Sequence, residues 1–157
     1  MPGSHLNPSE GTSIRLLIID DSNERITTLR QWLPADVHAV SATSAGRALK
    51  ILDLDPGSVY DGILLDHDLG QQVVSDAEHG LTGLDVARRI VQRISRDTPV
   101  LVHSMSFAGG SSMQQLLEAT GFSVTRIRFA ELTRERLLDW LEDVRAEWQL
   151  RSANRTA

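Results

Sequence analysis

Five short β-rich runs alternate with stretches whose apolar residues recur every three or four positions, and this alternation restricts the fold more than any other feature. The strand-like runs are Ile14–Asp20, Asp36–Ala42, Gly62–Asp66, Thr98–Ser104 and Phe122–Phe129. The first, third and fourth are almost unbroken apolar segments, as expected of interior strands in a parallel sheet covered on both faces. Between them, a helix is expected from about Ser22 to Leu33, with Ile26, Leu29 and Leu33 on one face, and Pro34 ends it. Ala45, Ala48, Leu49 and Leu52 mark a second helix. Leu84, Ala87, Val91 and Ile94 mark a third within about Leu81 to Ile94. MQQLLEAT, from Met113, is a short fourth. Leu137, Leu141, Val144 and Trp148 define a last helix from about Thr133 to Trp148. The expected architecture is α/β, with three layers and helices on both faces of an open parallel sheet.

With 157 residues there is room for one domain. Its folded part is expected at 14–150, with a flexible lead-in at 1–13 (a possible tag scar) and a flexible tail at 151–157. The chain has no cysteine, which excludes disulfides, thiolate catalysis and Cys-ligated metal sites. Sixteen Lys and Arg against twenty-one Asp and Glu give a net charge of −5. With no basic run, duplex DNA is not an expected partner. No apolar run approaches the ~18 residues of a membrane span, and no secretory signal opens the chain. A cytoplasmic location is the expectation.

In sheets of this kind ligands bind beyond the carboxyl ends of the strands, where strand order reverses. Acids gather at those ends: Asp20-Asp21 after the first strand, and Asp66-His67-Asp68 at the third. The fourth strand ends in His103-Ser104 and the fifth reaches Arg128. One such Asp is most simply a turn or helix cap. Several together repel by ~4 kcal/mol per pair at ~4 Å and an effective dielectric of ~20. A cation or a shared proton offsets that cost. Carboxylate oxygens suit a hard ion, Mg²⁺ or Mn²⁺.

LLIIDDS, ILLDHDLG and VLVHS, in this order and spacing, resemble the receiver domain of bacterial response regulators. The resemblance covers almost the whole folded length. It implies a flavodoxin-like fold with strand order 2-1-3-4-5. It also implies that Asp20 and Asp21 hold Mg²⁺, helped by Asp66 and the main-chain carbonyl of Asp68. Asp66 would be the phosphoacceptor, with Ser104 and Arg128 contacting phosphoryl oxygens. Two features depart from the receiver pattern. Arg128 followed by Phe129 stands where receivers carry Lys-Pro. The loop after Gly70, around 71–80, is longer than a receiver's by roughly eight residues and is expected to face the pocket.

LDHDLG together with VHSMSFAGGSSM further resembles a receiver-like branch proposed to process cyclic phosphates. That branch pairs a His after the central Asp with a His before the fourth-strand Ser, and His67 and His103 match those positions. Two histidines beside a metal pocket supply acid–base groups for opening a cyclic phosphodiester. The plainer alternative has His67 filling a turn and His103 alternating outward from Ser104. The favoured expectation is a stand-alone receiver that handles phosphoryl groups at a Mg²⁺ pocket. The alternative is a metal-assisted cyclic-phosphate phosphoesterase using His67 and His103, and a third is a degenerate receiver that only binds a partner. The implied partners are a sensor kinase or other phosphodonor, or a cyclic-phosphate substrate, with a protein partner for output. Only about seven residues follow the last expected helix, so no effector domain is expected there. The expected state is a monomer or weak homodimer, with Val144 and Trp148 offering a possible contact. Trp32, Trp140 and Trp148 read as core or interface residues, and FAGGSS (107–112) as an ordinary loop.

Overall fold

The computed structural model describes residues 13–55, 59–66, 69, 82–104 and 110–155. The elements are β1 (Ile14–Ile19), α1 (Asn23–Trp32), β2 (Val37–Ala42), α2 (Ala45–Leu54), β3 (Gly62–Asp66), α3 (Gly83–Arg93), β4 (Val100–Ser104), α4 (Gly110–Ala119), β5 (Val124–Arg128) and α5 (Arg134–Arg155). A short 3₁₀ turn, Phe129–Glu131, joins β5 to α5. All strand pairs are parallel, in the order β2-β1-β3-β4-β5. This is the expected fold.

The unbroken apolar runs become the centre of the sheet because both faces are covered. Leu16 to Ile19 and Ile63 to Leu65 are all fully buried. Strand alternation divides them between two cores. Leu17, Ile19, Leu65 and Val102 pack under α2, α3 and α4. Ile18, Leu64 and Leu101 pack with Ile26 and Leu29 of α1 and Leu137 and Leu141 of α5.

Helix starts follow from local chemistry. Ser22 caps α1 by accepting from the Arg25 N–H at 3.2 Å, and Ser44 caps α2 by accepting from Arg47 N–H at 3.1 Å. Asp85 accepts from the Thr82 N–H at 2.8 Å at the start of α3. The buried stripe of α3 is centred on Val86, Ala87 and Ile90, with Leu84 and Val91 on its flanks. The fifth strand is shorter than expected: Phe122 is buried before it begins, and Phe129 belongs to the 3₁₀ turn.

The expected tail at 151–157 is corrected over residues 151–155, which continue α5. No Gly or Pro interrupts the helix, and Arg151 reaches back to Asp61 at 3.7 Å. Residues 156–157, like the lead-in through residue 12, lie outside the described residues. The expected contact face at Val144 and Trp148 is also corrected. Val144 is fully buried and Trp148 packs partly buried on the same core, so both serve this chain's own interior. Among the described residues no helix is long and apolar enough to cross a membrane.

Gly62 opens β3 directly beneath α5. A β-carbon there would lie 2.9 Å from Trp140 Cη2, 3.0 Å from Leu16 Cδ2 and 3.1 Å from Val144 Cγ2. These neighbours are core side chains with little room to yield. Gly62→Ala is therefore expected to destabilise the fold by about 1–3 kcal/mol, read as a lower urea midpoint at an unchanged slope.

The middle of α5 is also held by a bidentate ion pair. Arg145 donates to Asp36 at 2.7 and 3.0 Å, tying α5 to the residue before β2. These hydrogen bonds hold the Asp36 carboxyl below its usual range. A carboxyl whose folded value is depressed adds stability above its unfolded value of ~3.9, and that stability is lost as pH falls through the folded value. The pair is partly solvent-exposed, so its contribution is ~1 kcal/mol or less. Asp36→Asn is expected to lower stability at neutral pH by that amount and to flatten the acid limb below pH ~4. Urea titrations of both proteins across pH 2–6 measure it.

Candidate functional site

The same alternation that fills the two cores sets the site. Two steps beyond Ile18, Leu64 and Leu101 lie Asp20, Asp66 and His103, so all three project toward the α1–α5 side at the carboxyl ends of β1, β3 and β4. Asp66 and His103 are paired neighbours in the sheet. The strand order reverses between β1 and β3, which puts Asp20 and Asp66 on either side of the switch point.

Asp20, Asp21, Asp66 and His103 are all buried. One oxygen from each of Asp20, Asp21 and Asp66 lies within 4.8 Å of the others. This is the acid cluster expected from the sequence. Burial pushes the Asp21 carboxyl up; Arg25 opposes that and Asp20 adds to it.

The residue that organises the cluster is Arg25, which the sequence reading missed. Its Nε donates to both Asp20 oxygens at 3.1 and 3.0 Å. Its Nη2 donates to Asp20 at 2.8 Å, to Asp21 at 3.0 Å and to Asp66 at 3.0 Å. Asp20 Oδ1 also accepts from the Ser22 N–H at 2.8 Å. The hydrogen bonds to Asp20 raise the Arg25 pKa further, so the guanidinium stays charged. Its carbon sits 5.6 Å from the centre of the Phe129 ring. The available signal was its position four residues after Asp21, where the first turn of α1 carries a side chain back over the strand end.

His103 does not alternate outward as the plainer alternative had it. Its Nε2 lies 3.8 Å from Asp20 Oδ2, and its ring stands 5.9 Å from that of Phe129 at 55°. The ring is fully buried, at the end of an interior strand. Ser104 is buried, and alternation assigns it to the opposite sheet face from His103. Arg128 is in register with Ser104 at the end of β5 and is exposed. His67, Asp68, the 71–80 loop and residues 107–109 lie outside the described residues; the last part of FAGGSS opens α4 instead of forming a loop.

Residues 15–119 match the family model described as the cyclic-phosphate processing receiver domain. The chain belongs to this family. The receiver fold also appears in its structural neighbours. Vibrio cholerae chemotaxis protein CheY4 is 20% identical at a TM-score of 0.60, covering 83% of this chain and 98% of that one. A receiver domain from Clostridium thermocellum is 19% identical at 0.66, with 87% and 98% covered. The receiver domain of the Pseudomonas aeruginosa sensor histidine kinase PA1611 is 16% identical at 0.63, with 85% and 98% covered; its structure has a magnesium ion coordinated in the active-site cleft. At these identities the neighbours speak for the fold of this receiver alone. No curated protein matched it.

Proposed function

We propose that this receiver binds a divalent cation, Mg²⁺ or Mn²⁺, at Asp20, Asp21 and Asp66 and cleaves a cyclic phosphate ester beside it. The observation that supports this reading is the burial of His103 within 3.8 Å of the Asp20 carboxylate, on the same sheet face as Asp66. The family description points to the same substrate class. The donor set fits a hard ion, because it offers carboxylate oxygens and no sulfur. The Asp68 carbonyl is a further proposed ligand, by the receiver resemblance. When bound, such an ion would supply Lewis-acid stabilisation of charge developing on the phosphate oxygens.

The chain's own groups do the proton work. His67 and His103 are the proposed acid–base pair. One takes a proton from the attacking water, and the other gives one to the ester oxygen released as the ring's P–O bond breaks. The Asp20 carboxylate, 3.8 Å from His103 Nε2, is the charged group beside that ring. Ser104 and Arg128 are proposed contacts for the non-bridging phosphate oxygens.

The second reading keeps Asp66 as a phosphoacceptor fed by a sensor kinase or small phosphodonor, with a protein partner for output. It is favoured by the position of Asp66, buried at the carboxyl end of β3 beside the switch point. One experiment separates the two. The protein is incubated with millimolar Mg²⁺ and, separately, with 2′,3′-cyclic nucleotides and acetyl phosphate. The phosphoesterase reading expects ring-opened product by chromatography, lost on chelation. Failure across a broad cyclic-phosphate panel sinks it, and a single phosphoryl mass increment abolished by Asp66→Asn would establish the second reading.

A further inference from the structure

We propose that Arg25 is a resident counter-cation that a divalent ion must displace, so that this side chain sets the metal affinity of the pocket. The proposal rests on the metal-binding reading above. One nitrogen, Nη2, lies 2.8–3.0 Å from an oxygen of each of the three carboxylates. An ion shared by those same oxygens would stand where that nitrogen stands. The two cations therefore exclude one another from the centre of the cluster.

The exchange depends on the guanidinium and would differ for an ammonium. Arg25 reaches Asp20 through two nitrogens as a fork, so its hold is both charge-assisted and geometrically specific. It is also one-fifth exposed and rooted in the first turn of α1, so it can swing outward without unfolding the helix. The Phe129 ring face, 5.6 Å from the guanidinium carbon, offers a nearby surface for the displaced charge. Three carboxylates against one guanidinium leave the cluster with excess negative charge, which keeps an incoming dication attracted. The pocket is thus neutralised enough to fold by itself, while its metal sites are gated by a competing side chain.

The test is calorimetric titration of the whole chain with MgCl₂ and with MnCl₂. Arg25→Met is expected to bind either ion about tenfold or more tightly than wild type, since it removes a competitor held by charge-assisted hydrogen bonds. Arg25→Lys, a point charge without the fork, is expected to fall between them. Arg88→Met, at an exposed α3 position with an ion pair to Asp85, controls for a simple change in net charge and is expected to match wild type. As a second readout, the Arg25 Nε–H resonance of wild type should be protected from exchange in chelator and lose that protection on adding Mg²⁺. That signal decides the matter if Arg25→Met proves unable to fold. Equal or weaker metal binding by Arg25→Met, or an Nε–H that stays protected with metal bound, overturns the proposal while leaving the metal pocket intact. Absence of binding in every variant overturns both.

Discussion

Replacing His103 with alanine is expected to reduce cyclic-phosphate hydrolysis by ~10²–10⁴-fold, the usual cost of losing a positioned acid or base. The ring is fully buried, so alanine also leaves a cavity against Phe129 and costs some stability. His103→Gln separates these effects. It retains polar bulk but cannot exchange a proton near neutral pH, so it should match alanine in activity and exceed it in stability. Steady-state kinetics and urea melts on both variants give the comparison. Under the phosphoacceptor reading, no proton passes through His103. Labelling of Asp66 by acetyl phosphate would then stay within about tenfold of wild type in a folded variant. Hydrolysis that survives in either variant removes His103 from the chemistry.

The acid pair after β1 is expected to split sharply on mutation. Asp20 takes three hydrogen bonds from Arg25 and one from the Ser22 N–H. Asp20→Asn breaks a buried charge pair and is expected to cost about 3–5 kcal/mol in chelator, enough to threaten folding. Asp21 takes one bond from Arg25 and has its carboxyl pushed up by burial. Neutralising it removes repulsion and leaves Arg25 bound to Asp20 and Asp66. Asp21→Asn is therefore expected to be neutral or mildly stabilising in chelator, yet to lose the thermal shift that Mg²⁺ gives wild type. At ~100 times the dissociation constant that shift corresponds to ~2.7 kcal/mol. Equal destabilisation by the two variants would contradict this division of labour. Repulsion among the acids alone, with Arg25 left out, would have the combined Asp20→Asn and Asp21→Asn change raise metal-free stability. The guanidinium reverses the sign at Asp20.

The strands were legible because burial on both faces writes itself into the sequence as continuous apolar runs. The acids at their ends were legible for the same reason, since a charged residue breaking such a run stands out. What escaped was governed by three-dimensional neighbours. Arg25 lies in a polar helical turn that resembles a solvated face, and its i,i+4 spacing from Asp21 is its one sequence signal. Only the crossing of α1 over the carboxyl ends of β1 and β3 brings it to the carboxylates. The orientation of His103 was left open, although the parity of the preceding Leu101 settles it once the two cores are assigned. The extent of α5 was underestimated because its last turn carries few apolar residues and is held instead by the ion pair between Arg151 and Asp61.

The course of α5 decides where this protein can be handled. The helix starts beside the carboxyl ends of the strands and runs ~33 Å, at ~1.5 Å per residue, back to their amino ends. Arg151, one turn from its last described residue, meets Asp61 just before β3 begins, at the opposite pole from Asp66. A fluorophore, affinity handle or surface tether placed after Arg155 would therefore leave the acid pocket facing open solution. Because the chain has no cysteine, a single thiol introduced there would be the only one available for attachment. Substrates and metal could then be exchanged by flow over an oriented, immobilised layer, with every copy presenting the same face.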